Sequence, residues 1–259
     1  MRVCVLGSGS GGNCTYVASA TTAVLIDAGL SGRATGLRLA ECGASVESIH
    51  AICVTHEHSD HTSGLAVLHR GGKVKLYANS GTIEGIDARA GNDKKLQWNV
   101  FSTGANFQIG DLSIDPFSVP HDAYDPVGFV IRCGEIRVGV VTDMGMVTGL
   151  IRERLRGCNV LVIESNHDEQ MLKDADRPWH LKQRISGRQG HLSNQHAAEL
   201  LTEIAGSHLK AVFLAHLSSE CNSSELALRT VSDALKNQGH LHVRVVVAPS
   251  DRVSEVWSE

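Results

Sequence analysis

Several features that would narrow the class of this 259-residue chain at once are missing. It has no CxxC pair: seven cysteines stand singly at 4, 14, 42, 53, 133, 158 and 221. An odd, scattered set argues against a disulfide framework and reads as reduced thiols packed as small hydrophobes, the usage expected in the cytoplasm. One-sided charge is missing too, since 24 Lys and Arg face 28 Asp and Glu for a formal net charge of −4 with histidine neutral. That excludes a global basic field for nucleic acid and leaves room for a local one. No stretch nears the roughly 18 apolar residues of a membrane span. The short apolar run after Met1 leads straight into glycines, without the pattern of a secretory signal. No repeat, low-complexity tract or Pro/Ser-rich linker divides the chain. With 42% hydrophobic and 20% charged residues it reads as globular, long enough for one large α/β domain or two small ones.

Apolar runs alternate with glycine punctuation throughout. RVCVLG, TYVA, AVLIDAG, HAICVT, VKLYA, the segment around 96–101, LSIDPFSV, VGFVIRC and IRVGVVTD read as strands. NVLVIES, KAVFLAH and HVRVVVA continue the series. Helices are expected over 33–42, from Thr62 to Arg70, and over 146–156 with Val147, Leu150, Ile151 and Leu155 on one face. A further helix starts at a Ser193 cap and carries Ala197, Leu200, Leu201 and Ile204. Asn222 with Glu225 resembles a capping box opening a last helix with Leu228, Val231 and Leu235. The class is α/β, and the strand count suits two sheets sandwiched between helices better than one doubly wound sheet. GSGSGGN at 7–13 fits GxGxxG only loosely, through Gly7, Gly9 and Gly12. A strand follows it, so a dinucleotide fold fails and a tight hairpin connection is expected.

What the chain has in excess is histidine, fourteen in all, and they cluster. THEHSDH at 55–61 follows a buried strand. His56 and His58 are two apart and project to one side of extended chain. Asp60 and His61 follow where the chain turns into helix. Such a segment can offer two ligands to one metal and two to a neighbour, and imidazole with carboxylate suits Zn, Mn or Fe. One loop cannot close two coordination spheres, so further ligands should end other strands. His121 follows LSIDPFSVP, Asp143 follows IRVGVVT and His216 follows KAVFLA.

The order HxHxDH, then His, Asp and His, each after a strand, resembles the metallo-β-lactamase superfamily over nearly the whole chain. The resemblance implies an αββα four-layer sandwich and two divalent metal ions. His56, His58 and His121 would bind one ion, Asp60, His61 and His216 the other, and Asp143 would bridge them. Asp60 and Asp143 together argue against the true β-lactamases. The short interval between Asp143 and His216 implies that no inserted cap domain is present.

Two divalent ions against two carboxylates leave a positive core, which favours an anionic substrate or a transition state gaining negative charge. GSGSGGN, LIDAG, PHDAYDPVGFVI, TDMG, ESNHD, GHLSN and HLS occur in this order and resemble the YycJ (WalJ) branch of the superfamily. That resemblance implies a bacterial 5′→3′ DNA exonuclease linked to mismatch repair. Cys221 departs from the asparagine expected there.

Arg177, His180, Lys182, Arg184, Arg188 and His191 concentrate positive charge in RPWHLKQRISGRQGH at 177–191, a possible phosphate-contacting wall. Trp179 could stack on a base, though a packed anchor is the plainer reading. His191 is the candidate general acid, supported by Glu164 or His167. Ser218 is a candidate donor to a phosphate oxygen, and Asp60 orients the nucleophile. The leading expectation is thus metal-dependent phosphodiester hydrolysis on DNA, single-stranded or at a duplex end. Its rivals are a cyclic-phosphate phosphodiesterase or glyoxalase II-like thioesterase, favoured if the 177–191 charges point away from the metals, and a metal-binding regulatory module without turnover.

Overall fold

The computed structural model describes residues 1–90 and 96–259. They form two seven-stranded sheets. The first contains β1 (Arg2–Gly7), β2 (Cys14–Ala18), β3 (Ala23–Ile26), β4 (Ala51–Cys53), β5 (Lys75–Ala78) and β6 (Trp98–Val100), with β14 (Trp257–Ser258) outside β1. The second runs from β7 (Phe107–Ile109) through β8 (Leu112–Ser118), β9 (Val127–Cys133), β10 (Ile136–Val141), β11 (Val160–Glu164) and β12 (Ala211–Ala215) to β13 (Arg244–Val247). In the first sheet β3 to β6 are parallel, and in the second β10 to β13 are.

Side-chain alternation along these strands divides the apolar residues into three cores. Val3, Val5, Val24 and Ile26 of the first sheet meet Phe129, Val140, Val162 and Phe213 of the second between the sheets. Leu6, Leu25 and Ile52 point outward, onto Leu39 of α1 (Gly32–Glu41) and onto Leu65 and Leu68. Leu161, Ile163, Val212 and Leu214 point outward from the second sheet, beneath α5 (Gly149–Leu155), α8 (Asn194–Ile204) and α9 (Ser224–Asn237). Three apolar interfaces make four layers, the αββα sandwich. Strands buried on both faces explain runs such as VLVIE and AVFLA.

Four expectations need correction. The helix from Thr62 to Arg70 is two short ones, α2 (Ser59–Thr62) and α3 (Leu65–Leu68). They part where the Gly64 N–H donates to the Ala28 carbonyl at 2.7 Å, a tertiary bond in place of a helical one. Leu150 does not share the buried face of α5: it is 38% exposed, a 100° step from buried Ile151. Leu228 is likewise exposed on α9. The cap of α9 is Ser223, whose hydroxyl accepts from Leu226 N. Asn222 is occupied instead with the Ser165 and Asn166 carbonyls. Helices α4 (Ser80–Ala90), α6 (Glu169–Asp174) and α7 (Trp179–Ile185) were not anticipated. The Ser193 cap on α8 and the hairpin between β1 and β2 are as expected.

Candidate metal centre

Each strand that contributes to the centre does so at its C-terminal end, and these ends share one edge of the sandwich. Asp27 follows β3, the THEHSDH loop follows β4, and His121 follows β8. Asp143 follows β10, Glu164 ends β11, and His216 follows β12. Parallel strands place successive loops side by side, which is why polar residues far apart in sequence converge here.

The seven expected ligand residues come together. His56, His58 and His121 bring one donor atom each to within 4.8 Å of one another, and Asp60, His61 and His216 do the same. Asp143 lies between the two groups. Its Oδ1 is 3.9 Å from His121 Nε2 and 3.5 Å from His216 Nδ1, and its Oδ2 is 3.1 Å from His61 Nε2. Three buried atoms of this set, His56 Nε2, Asp143 Oδ2 and His216 Nε2, have no hydrogen-bond partner of acceptable geometry. Buried polar atoms are rarely left so. A divalent cation would satisfy them, and imidazole with carboxylate is a donor set suited to one.

One carboxylate behind the donors was missed, that of Asp27. Asp27 Oδ2 lies 2.7 Å from His61 Nδ1, and Thr55 Oγ1 joins Asp27 to His56 Nδ1 at 2.9 and 3.0 Å. A carboxylate on the far nitrogen fixes the imidazole's tautomer and orientation. LIDAG was noted as a motif, yet the rule applied to Asp143 and His216, a polar residue ending an apolar run, also picks out Asp27. Glu164, expected as a support for His191, serves two histidines: its Oε1 is 2.8 Å from His191 Nδ1 and 2.9 Å from His216 Nδ1. Its Oε2 accepts from Met144 N and Leu192 N. Fully occupied, Glu164 is a positioning group. Asn13, from the hairpin glycine run, donates to Asp60 Oδ2 at 3.1 Å.

Charge is distributed unevenly. Burial holds His56 and His58 below the usual imidazole range, with neighbouring histidines adding to it, so both are neutral donors. Burial opposes charge on His61 and His216 as well. There Asp27 and Asp143 outweigh it for His61, and Asp143, Asp60 and Glu164 for His216, and both are raised. Asp143 and Asp60 lie low despite burial because imidazoles surround them. His191 is raised, burial being outweighed by Glu164.

The cleft over this centre has a volume of about 470 Å³. His191 and Ser218 line it, as do Arg177 and Arg184 from the basic segment. Both arginines are ion-paired, Arg177 with Glu220 and Arg184 with Asp122, each at 2.7 Å. Lys182 lies on the other side of α7 and donates to the Lys173 carbonyl, while Arg188 reaches Met146 Sδ. The basic segment is thus split between the cleft and its surroundings. Cys221 is buried in the cleft wall, outside every donor group. His167 makes no side-chain hydrogen bond to His191 or to the donor residues, and its Nδ1 is unpartnered.

The beta-lactamase superfamily domain matches residues 22–216, three quarters of the chain and every donor residue. The chain belongs to this superfamily. It is 37% identical over 235 residues to exodeoxyribonuclease YycJ of Bacillus anthracis, covering 91% of this chain and 89% of that protein. Exodeoxyribonuclease WalJ of Streptococcus pneumoniae serotype 2 is 36% identical over 233 residues, covering 89% and 87%. Zinc-bound PqqB of Methylobacterium extorquens superposes over all of both chains with a TM-score of 0.74 at 18% identity, a likeness of fold. As a superfamily member the chain is a metal-dependent hydrolase, and the His/Asp cluster is where a divalent metal would bind.

Proposed function

We propose that this chain is a DNA exonuclease that hydrolyses phosphodiesters with two divalent cations, working from a 5′ end in DNA repair. The observation that carries the reading is the cleft in which Asp143 separates two three-residue donor sets while Arg177 and Arg184 line the approach. The names of its relatives, both exodeoxyribonucleases, support a DNA substrate. His56, His58 and His121 would hold one cation, Asp60, His61 and His216 the other, with Asp143 between. Zinc, manganese and iron all suit these donors.

When bound, such a pair supplies a nucleophile at neutral pH and neutralises charge developing on the phosphoryl group. The chain's own residues do the rest. Asp60, braced by Asn13, orients the attacking water. His191, with Nδ1 held by Glu164, carries a proton on Nε2 for the departing oxygen. The Ser218 hydroxyl accepts from Cys221 N at 3.1 Å, which leaves its own hydrogen for a phosphate oxygen. We take 1–259 as one domain without an inserted cap. No helix of the described residues is long and apolar enough to cross a membrane. Seven free cysteines, six of them buried, suit a cytoplasmic setting.

A small-molecule phosphodiesterase or thioesterase gains from one observation: the ion pairs on Arg177 and Arg184 leave the rim less positive than the sequence implies. The deciding experiment loads the protein separately with zinc and manganese and offers 5′-labelled single- and double-stranded DNA, RNA and a thioester. Release of nucleotides from the DNA 5′ end, abolished in Asp143→Ala, is expected. Thioester turnover without cleavage of nucleic acid would reject the nuclease.

A further inference from the structure

Helix α7 separates two cavities. Leu181, Arg184 and Ile185 face the metal cleft. Trp179, Lys182, Gln183 and Ser186 face a second cavity of about 300 Å³, bounded across from them by Leu172 and His167. His191 lines both. The two cavities therefore share the His191 side chain as a common wall.

The second cavity's lining is unlike the cleft's. The cleft is dominated by histidines and carboxylates, whereas the second cavity sets the Trp179 indole and Leu172 beside Gln183, two serines and three histidines, with Glu169, Lys173 and Lys182 as its charged groups. Trp179 is 69% exposed, an unusual state for the largest apolar side chain, and no residue of its own seven-residue helix is buried. It was expected as a packed anchor, and it anchors nothing. His167 is the opposite case: it is 2% exposed, its Nδ1 is sealed without a hydrogen-bond partner, and burial pushes its pKa down, so the ring is neutral. A buried neutral imidazole with an unused donor or acceptor is costly unless something completes it. Ser193 and His196 add hydrogen-bonding groups on the same side, their side chains 3.0 Å apart.

We propose that this second cavity is a nucleobase site. A heteroaromatic ring stacks on Trp179, its edge hydrogen-bonds to the His167 side, and its own phosphodiester lies in the metal cleft beyond His191. The inference deepens the nuclease reading and rests on it for the identity of the ligand. An aromatic face beside a hydrogen-bonding edge is what a base requires, and stacking tolerates any sequence. Apolar pockets with a few convergent polar groups are the usual form of a small-ligand site. A thioester or cyclic phosphate that carries no base would leave Trp179 in water.

The test is a binding measurement that needs no turnover. Equilibrium dialysis compares a deoxynucleoside 5′-monophosphate with deoxyribose 5-phosphate, which lacks only the base, on the wild-type protein and on Trp179→Ala. The substitution removes an exposed side chain, so the fold is kept. The nucleotide is expected to bind the wild type about 5- to 150-fold more tightly than the sugar phosphate, the range for one stacked base. That preference should fall to near unity in Trp179→Ala, while deoxyribose 5-phosphate binds both proteins alike. Equal binding of the two probes by the wild type overturns the proposal, and so does a preference that survives in Trp179→Ala. Neither result depends on cleavage. A protein that fails to cut DNA but shows the Trp179-dependent preference loses the nuclease reading and keeps the base site.

Discussion

Three residues of the centre adopt left-handed backbone: Asp27 at φ 64°, Asp143 at 55° and His216 at 56°. Among the described residues no other non-glycine residue has positive φ. Asp27 and His216 follow a strand directly and Asp143 comes one residue later, so the chain turns at the strand end and swings a donor or its carboxylate partner over the sheet edge. An L-residue there costs about 1–2 kcal/mol, and strain concentrated at one site is a mark of function. A pair of variants isolates the backbone cost at Asp143. Both Asp143→Ala and Asp143→Gly remove the carboxylate, but only glycine accepts the conformation freely. The glycine variant should be more stable than the alanine variant by about 1 kcal/mol in urea titration of chelated protein. At an ordinary strand end the order would reverse, because glycine loses more entropy on folding, and that result would remove the claim of strain.

At the scale of elements, the centre was legible because its donors obey one local rule. A polar residue that ends an apolar strand lies at the sheet edge, and His121, Asp143 and His216 were all found that way. Asp27 satisfies the same rule and was passed over because it is no ligand in the HxHxDH pattern. What the rule cannot reach is set by contacts between distant segments. The break between α2 and α3 depends on a hydrogen bond from Gly64 to Ala28, and no periodicity within 62–70 announces it. The division of α7 into two faces depends on what lies on each side. Leu181 and Ile185 read as apolar positions wherever the helix sits, and only the fold puts them on the metal side and Trp179 on the other. The loop after α7 is fixed by close approach. A Cβ on Gly145 would lie 2.5 Å from the backbone of Gly187, Arg188 and Gly190. That loop leads into His191, and its Gly190 carbonyl is 3.2 Å from His121 Nδ1. Gly145→Ala should therefore push the 187–190 backbone outward, costing about 1–3 kcal/mol of stability and lowering kcat about 100-fold through misplacement of His191. Unchanged kcat in steady-state assays would mean that the loop position does not matter to the chemistry.

For the molecule as a whole, the two sheets bring negative and positive groups from six strand ends into one buried volume, and the balance depends on what fills it. With only protein groups there, the carboxylates hold protons on His61 and His216. Both histidines also belong to the donor set with Asp60, so a cation must displace those protons to bind. Because both imidazoles are raised above their ordinary value, they remain protonated at neutral pH in the cation-free protein. Loading then releases protons, and affinity rises with pH until those groups deprotonate unaided. Isothermal titration of chelated protein with zinc near pH 7, in buffers of different ionisation enthalpy, should show release of between one and two protons. Apparent affinity should fall as the pH is lowered from 8 to 6. The carboxylates behind the donors set the size of the effect. Glu164→Gln removes a charge that raises His216, so His216 surrenders its proton more readily and fewer protons should be released on loading. No net proton release in any buffer would mean that His61 and His216 are already neutral, and the electrostatic account of the centre would fail with its geometry intact.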